Sequence, residues 1–261
     1  MGDTSPPCLP GCHEHVRRRS PRMIRRPVMR AAVLLCCLTM LVLDGRAQSS
    51  ETSASRPIAS APSTTLRIYL ARHGETQFNA ERRVQGQLDI PLNRRGLEQA
   101  EVLKSLLNGV TLDAIYTSPL SRNVTTAAII ADGRSVRVLS SLTERSQGRF
   151  QGLLADSEAD FARRMTNPGD DLDGGETTFQ LAGRARQALG SIRRLHSSGG
   201  AVLVVGHFLT NQMLLRELLS VSIQQAMQIV QGNDELYLVE ISAGYPPRPW
   251  KLVRDSRLEE L

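Results

Sequence analysis

Cysteine is scarce in this 261-residue sequence and confined to its start, at Cys8, Cys12, Cys36 and Cys37. A chain read from residue 48 onward has no thiol, so it needs no disulfide and cannot misoxidise in an oxidising compartment. Net charge is also scarce once the start is set aside. The first 48 residues hold eight of the 32 basic and three of the 26 acidic residues, which leaves 24 against 23 in the rest. The high isoelectric point is therefore a property of the N-terminal segment, and it gives no reason to expect nucleic-acid binding by the folded part. Metal-ligand spacing is lacking too. Cys8-x3-Cys12-His13-x-His15 looks like half a zinc site, but no second ligand pair follows it. No internal repeat is visible. The only long apolar run, Ala31–Leu43, falls short of the roughly 20 residues that span a bilayer.

That run lies between a basic stretch (Arg17, Arg18, Arg19, Arg22, Arg25, Arg26 and Arg30) and the small-residue site Gly45-Arg46-Ala47. This is the order of a secretory signal, so residues 1–47 are expected to be a leader and the mature protein periplasmic or secreted. Membrane association is expected only if the leader is retained. Residues 48–64, rich in Ser, Thr, Ala and Pro, read as a disordered linker. The folded domain then covers 65–261, ending in a C-terminal tail.

Within it, Leu66–Ala71 predicts a strand. Asn93 caps a helix to about Leu107, with Leu97, Ala100, Leu103 and Leu107 on one face. Ala114–Thr117 is a short strand, Pro119 opens the next helix, and Val136–Leu142 reads as a third strand. A long helix from Thr178 to Leu195 is broken by Gly199-Gly200 before the all-apolar run 201–205, typical of a central parallel strand. A helix at Phe208–Leu219 and a strand at Glu235–Ser242 follow. Alternating strands and helices imply an α/β fold of three layers, α/β/α, with a mostly parallel central sheet.

Sites in such folds sit at the carboxyl ends of strands. Four chemically capable groups do so here: His73, the Ser118–Arg122 run, Glu144 and His207. In Arg72-His73-Gly74-Glu75-Thr76, an imidazole that is largely uncharged near neutral pH can attack phosphorus, and Arg72 supplies a cation for the phosphoryl oxygens. Gly74 lets the backbone turn close to a ligand. Arg122, in the first turn of a helix, can aim its guanidinium fork at the same phosphate. Glu144 can protonate a leaving oxygen and later deprotonate a water. His207, between a buried strand and a helix start, lies near orphan backbone N–H groups and can donate to a phosphate oxygen. Taken singly, each also fits a solvated arginine, an exposed loop glutamate or a satisfied structural histidine. His196, at a helix C-terminus, is given no role.

Taken together, the collinear pattern resembles the histidine phosphatase superfamily, in its phosphoglycerate mutase-like branch. The likeness runs from about Thr65 to Ser242. It includes Gln85-Gly86, Pro91-Leu92-Asn93-Arg94-Arg95-Gly96, Gln99-Ala100 and Gly174-Gly175-Glu176-Thr177. The resemblance implies a phosphoglycerate mutase-like fold and His73 as the phosphorylated residue. It also implies Arg72, Arg122 and His207 on the phosphoryl oxygens with Asn79 assisting, Glu144 as the acid/base, and no metal or other cofactor. Departures from the family pattern are Phe208 after the second histidine, where Gly is usual, Asn123 and Thr125 after the second arginine, and Gln151 where Glu is common. Arg145 and Gln151 are closer to the mutases and some sugar-phosphate phosphatases.

The expected activity is hydrolysis of small phosphorylated substrates. A phosphoglycerate mutase-type phosphotransferase and a non-catalytic phosphoester-binding module are the alternatives. Only 21 residues separate Gly152 from Gly174, which leaves little room for the long basic insertion of the mutases. Substrate contacts are expected within Glu81–Asp89 and Ala155–Asp173. There Arg82, Arg83, Arg163 and Arg164 either serve a second anionic group or form a solvated basic face. The sequence is silent on oligomeric state.

Overall fold

A computed structural model of the chain describes residues 64–157, 159–253 and 257–260. The expected leader, and all of the expected linker except Thr64, lie outside the described residues. Among those residues, no helix is long and apolar enough to cross a membrane.

The strands are β1 (Leu66–Arg72), β2 (Ala114–Thr117), β3 (Arg137–Val138), β4 (Gly200–Gly206), β5 (Leu236–Ile241), β6 (Arg248–Val253) and β7 (Arg257–Glu260). They form one sheet in the order β3-β2-β4-β1-β5-β6-β7. The four strands from β3 to β1 are mutually parallel, and β5, β6 and β7 add in antiparallel fashion beyond β1. The helices are α1 (Gln77–Ala80), α2 (Arg94–Leu106), α3 (Ser121–Ala131), α4 (Ala159–Met165), α5 (Thr178–Leu195), α6 (Phe208–Leu219) and α7 (Ile223–Ala226).

Strand alternation sorts the core into two faces. Leu66, Ile68 and Leu70 of β1, with Val202 and Val204 of β4, pack against Leu181, Ala185, Leu189 and Ile192 of α5 and Met213, Leu214 and Leu218 of α6. Tyr69, Ala71, Leu203 and Val205 point the other way, onto Leu103 and Leu106 of α2 and Ala127 and Ile130 of α3. Both faces of the central strands are therefore buried, which is why 201–205 is apolar throughout. The result is the three-layer arrangement expected from the sequence.

Four local expectations change. Leu97 is 44% exposed, and the buried side of α2 is Gln99, Ala100, Leu103 and Leu106. Leu97 lies roughly 120° around the helix from Leu103, off the stripe. Pro119 does not open α3, because Leu120 is its N-cap and the Ser121 amide is taken by Asp89 Oδ1 at 2.7 Å. The third strand shrinks to Arg137–Val138, both exposed at the sheet edge. A 3₁₀ turn at Ser140–Leu142 follows, where Thr143 N donates to the carbonyl of Ser140 at 3.1 Å. The C-terminal tail is in large part the hairpin β6–β7. Its strands alternate weakly, and it becomes a strand pair by adding to the edge of β5.

Candidate active site

Strand register decides which residues meet. Arg72 pairs with Gly206 across β1–β4, and Thr117 with Val205 across β2–β4. The residues just past those ends, His73, His207 and Ser118, therefore emerge side by side although distant in sequence. The imidazoles of His73 and His207 stand 5.2 Å apart, edge to face, and both are buried. Gly74 takes no left-handed turn. It is glycine because any Cβ there would strike the backbone of Gly96 in the first turn of α2, and Gly96 meets Glu75 in the same way.

His73 Nδ1 lies 2.8 Å from the carbonyl of Gly74. A carbonyl only accepts, so Nδ1 carries the proton and Nε2 keeps its lone pair. Burial, then the charges of Arg72 and Arg122, hold the His73 pKa well below its ordinary 6.5, outweighing the opposing bond to Gly74. The ring is thus neutral at pH 7 and capable of nucleophilic attack. His207 is driven down by burial first and then by Arg122, His73, Arg72 and Arg184. Its Nε2 bonds Ser118 Oγ at 2.8 Å, while its Nδ1 is buried without a partner.

Arg72 spends one N–H on the carbonyl of Gln231 at 3.2 Å and sits 5.1 Å over the ring of Phe208. Arg122, 1% exposed, donates to the carbonyls of Leu88 at 2.7 Å and Gly86 at 2.8 Å. Burial pushes its pKa down to about 10, which leaves it cationic at neutral pH. In both guanidinium groups Nε is buried and unpaired.

Glu144 is buried and accepts four bonds. Its Oε1 takes Arg145 N at 2.8 Å, Thr210 N at 3.1 Å and Thr210 Oγ1 at 3.0 Å, and its Oε2 takes Leu209 N at 3.2 Å. The orphan N–H groups at the start of α6 were expected near His207 for a ligand. Those of Leu209 and Thr210 are instead held by this carboxylate, so the positive end of α6 fixes Glu144. The freer oxygen is Oε2.

These groups border a cavity of about 250 Å³, lined by Arg72, His73, Asn79, Arg122 and Glu144 together with Arg83, Val84, Gln85, Gly86, Gln147, Phe161, Met165, Phe208 and Leu209. Asn79 Oδ1 is taken by Thr76 N at 3.1 Å in a capping box, which leaves Nδ2 for a ligand. His207 stands behind the cavity, against His73. A larger cavity of about 730 Å³ lies at the far end of β1, around Thr65, Arg67, Glu240 and Arg248. Its lining holds no histidine or cysteine, and Arg67 and Glu240 are bonded to each other there at 3.0 Å.

Several polar residues behind the site were not singled out from the sequence. Asn211 Nδ2 ties the carbonyl of Ala71 to Gln231 Oε1, at 3.0 and 2.8 Å. Arg184 donates to the carbonyls of Ser141 and Thr143 and pairs with Glu176 at 2.7 Å, bracing the segment that leads to Glu144. Thr210, Asn211 and Gln212 are buried in succession near the start of a helix whose other buried residues are apolar. That run of uncharged polar residues was the available signal. Among the residues that depart from the family pattern, Asn123 Nδ2 caps the carbonyls of Val205 and Gly206 at 3.1 and 2.8 Å. Gln151 Oε1 accepts from Gln87 N at 2.8 Å, and Arg145 turns to the carbonyls of Asp170 and Glu176.

The family model of the histidine phosphatase superfamily, branch 1, matches residues 68–249. A 2-carboxy-D-arabinitol-1-phosphatase of Triticum aestivum is 32% identical over 235 residues, covering 85% of this chain and 46% of that protein. The chain thus spans about half the length of that relative. A probable phosphoglycerate mutase GpmB of Klebsiella pneumoniae (strain 342) is 34% identical over 193 residues, 71% of this chain and 87% of the other. A mycobacterial glucosyl-3-phosphoglycerate phosphatase complexed with VO3 superposes with a TM-score of 0.61 at 27% identity, over 75% and 98% of the two chains. For Bacillus stearothermophilus YhfR the TM-score is 0.62 at 29% identity, over 69% and 94%.

Proposed function

The chain belongs to branch 1 of the histidine phosphatase superfamily, and from that premise we propose that it is an exported, metal-independent phosphomonoesterase working through a phosphohistidine on His73. Two buried guanidinium donors without partners, Arg72 Nε and Arg122 Nε, and the buried, unpaired Nδ1 of His207, whose ring lies 5.2 Å from that of His73, accompany one neutral imidazole, and that observation carries the reading. Buried donors are rarely left unpaired, and a phosphoryl group offers the oxygens they lack.

In the proposed reaction His73 Nε2 forms a bond to phosphorus as the bond to the ester oxygen breaks. Glu144 gives that oxygen its proton, and the alcohol leaves. Glu144 then takes a proton from water, whose oxygen attacks phosphorus and displaces Nε2, releasing inorganic phosphate. Arg72 and Arg122 neutralise charge on the equatorial oxygens, so activity is expected to survive EDTA. Asn79 Nδ2 adds one donor. A rapid-quench assay for acid-labile protein phosphate tests the nucleophile: His73→Ala is expected to lose both phosphoenzyme and turnover, and phosphoenzyme in that variant would refute the assignment.

Similarity to the probable phosphoglycerate mutase favours a second reading, transfer between phosphoglycerates. Interconversion of 2- and 3-phosphoglycerate faster than phosphate release would establish it. Export rests on the basic, apolar and small-residue order of residues 17–47. N-terminal sequencing of protein from its host is expected to begin near Gln48, and an intact leader on cytoplasmic protein would overturn that.

A further inference from the structure

We infer that the preferred substrates are phosphate monoesters of small, uncharged alcohols that carry an apolar or aromatic ring, rather than esters with a second anionic group. The inference rests on the phosphatase reading and concerns the leaving-group side of the same cavity. Beyond the phosphoryl donors and Glu144, most of the lining there is apolar, from Val84, Phe161, Met165, Phe208 and Leu209, and the uncharged amides of Gln85 and Gln147 are its polar part. The one further cation on the lining is Arg83, and it is already engaged. Its Nε pairs with Glu81 at 2.8 Å, and its NH1 donates to the carbonyl of Gly152 at 2.8 Å.

A carboxylate on the leaving group would find no uncommitted cation on this wall. It would also face Glu144, the carboxyl that delivers the proton. An apolar ring would instead cover the Phe161 and Met165 side chains, and a hydroxyl on the same alcohol could donate to Gln147 Oε1, which is buried without a partner. The wall is held from behind, so it is not an accident of a loose loop. Phe161 packs on the ring of Phe150 at 5.1 Å between centroids, and the sulfur of Met165 accepts from Arg145 at 3.4 Å. A volume of about 250 Å³ lies below the roughly 300–1,000 Å³ of sites for drug-sized ligands, which limits the alcohol to about one ring beside the phosphate.

The experiment compares kcat/KM for benzyl phosphate, glycerol 3-phosphate and 3-phosphoglycerate, all esters of alkyl alcohols. The expected order is benzyl phosphate first and 3-phosphoglycerate last, with about a tenfold or larger span, as burial of a ring gives. Phe161→Ala is expected to lower the benzyl-to-glycerol ratio about tenfold. Glu81→Gln, which releases Arg83, is expected to raise the ratio of 3-phosphoglycerate to glycerol 3-phosphate. Turnover with 3-phosphoglycerate preferred, or a benzyl-to-glycerol ratio that Phe161→Ala leaves in place, overturns the substrate assignment alone. No turnover and no phosphohistidine with any of the three overturns the phosphatase reading, and this inference with it.

Discussion

The proposed phosphate cradle and the largely apolar wall of the same cavity are built on different physical plans. The cradle sits at the ends of β1, β2 and β4, where both faces of the sheet are buried and the ladder fixes each Cα. Its groups are held by bonds to distant backbone, as in Arg122 to Gly86 and Leu88 or Glu144 to Leu209 and Thr210. The wall comes from the start of α6, at Phe208 and Leu209, and from the segments 81–89 and 155–173, whose charges are largely spent on one another. Arg82 pairs with Asp156 at 2.7 Å, Arg163 with Asp160 at 2.5 Å, and Arg164 with Asp170 at 2.6 Å and Asp173 at 2.8 Å. Beneath them lies a small separate core of Val84, Phe150 and Leu172. The cradle thus leaves donors unpaired and rigid, as electrostatic preorganisation requires. The wall has its cations paired and presents mostly carbon, with the uncharged amides of Gln85 and Gln147.

The sharpest test of this contrast removes the proposed acid, Glu144. Glu144→Gln is expected to reduce turnover of alkyl phosphates by about 10²- to 10⁴-fold. The loss should be smaller for the first step with an activated aryl ester, and phosphohistidine should accumulate because its hydrolysis lacks a base. Wild-type rates on alkyl phosphates would mean that another residue is the acid. Next in size is Thr210→Val, which keeps the side-chain shape and removes the hydroxyl on Glu144 Oε1. A hydrogen bond to a charged group of this kind supports about a tenfold loss of kcat on benzyl phosphate. A 4-nitrophenyl ester, which needs little protonation, should lose less, and equal losses on the two would point to a purely structural role.

A further test uses pH. Both cradle imidazoles have native pKa values held well below 6.5. Their contribution to stability is present in full above about 6.5 and is lost as pH falls toward the native values, because the unfolded chain then binds protons that the native state does not. Each imidazole contributes a slope of up to about 1.4 kcal/mol per pH unit in that window. Denaturant midpoints should fall below pH 6.5, and His207→Gln should flatten the fall. The smallest effect belongs to the surface of the wall. Arg82→Ala and Arg163→Ala should change kcat/KM for 3-phosphoglycerate by less than about twofold, since these arginines are solvated partners of nearby carboxylates. A large loss would reinstate them as anion contacts and break the contrast.

Much of the cradle was legible because each of its groups directly follows a recognisable local element. Strand 66–72 ends on Arg72-His73, and strand 200–206 ends on His207. Glu144 was legible by type, although the strand thought to deliver it is mostly a 3₁₀ turn. The wall was not legible in the same way. Phe161 and Met165 lie in a short helix whose local pattern says nothing of a cavity, and the pairing that silences Arg83 is visible only in three dimensions. The scaffold of Thr210, Asn211, Gln231 and Arg184 was missed for a similar reason. Its bonds join residues as far apart as Ala71 and Asn211, which no local pattern relates.

By itself the sequence determined the order of the main strands and helices, the two-sided burial of the central strands and which chemically capable side chains follow the strand ends. Those follow from hydrophobic periodicity and from chemistry carried by single side chains, which need no partner to be read. Only the tertiary structure decided that Glu144, and not a ligand, holds the positive end of α6, that Gly74 is glycine because Gly96 lies against it, and that Arg83 is neutralised beside an apolar wall. These depend on distances between segments remote in sequence, set by strand register and by the packing of α2 and α6 on the sheet, and hydrogen bonds, steric contact and ion pairing all act only at short range.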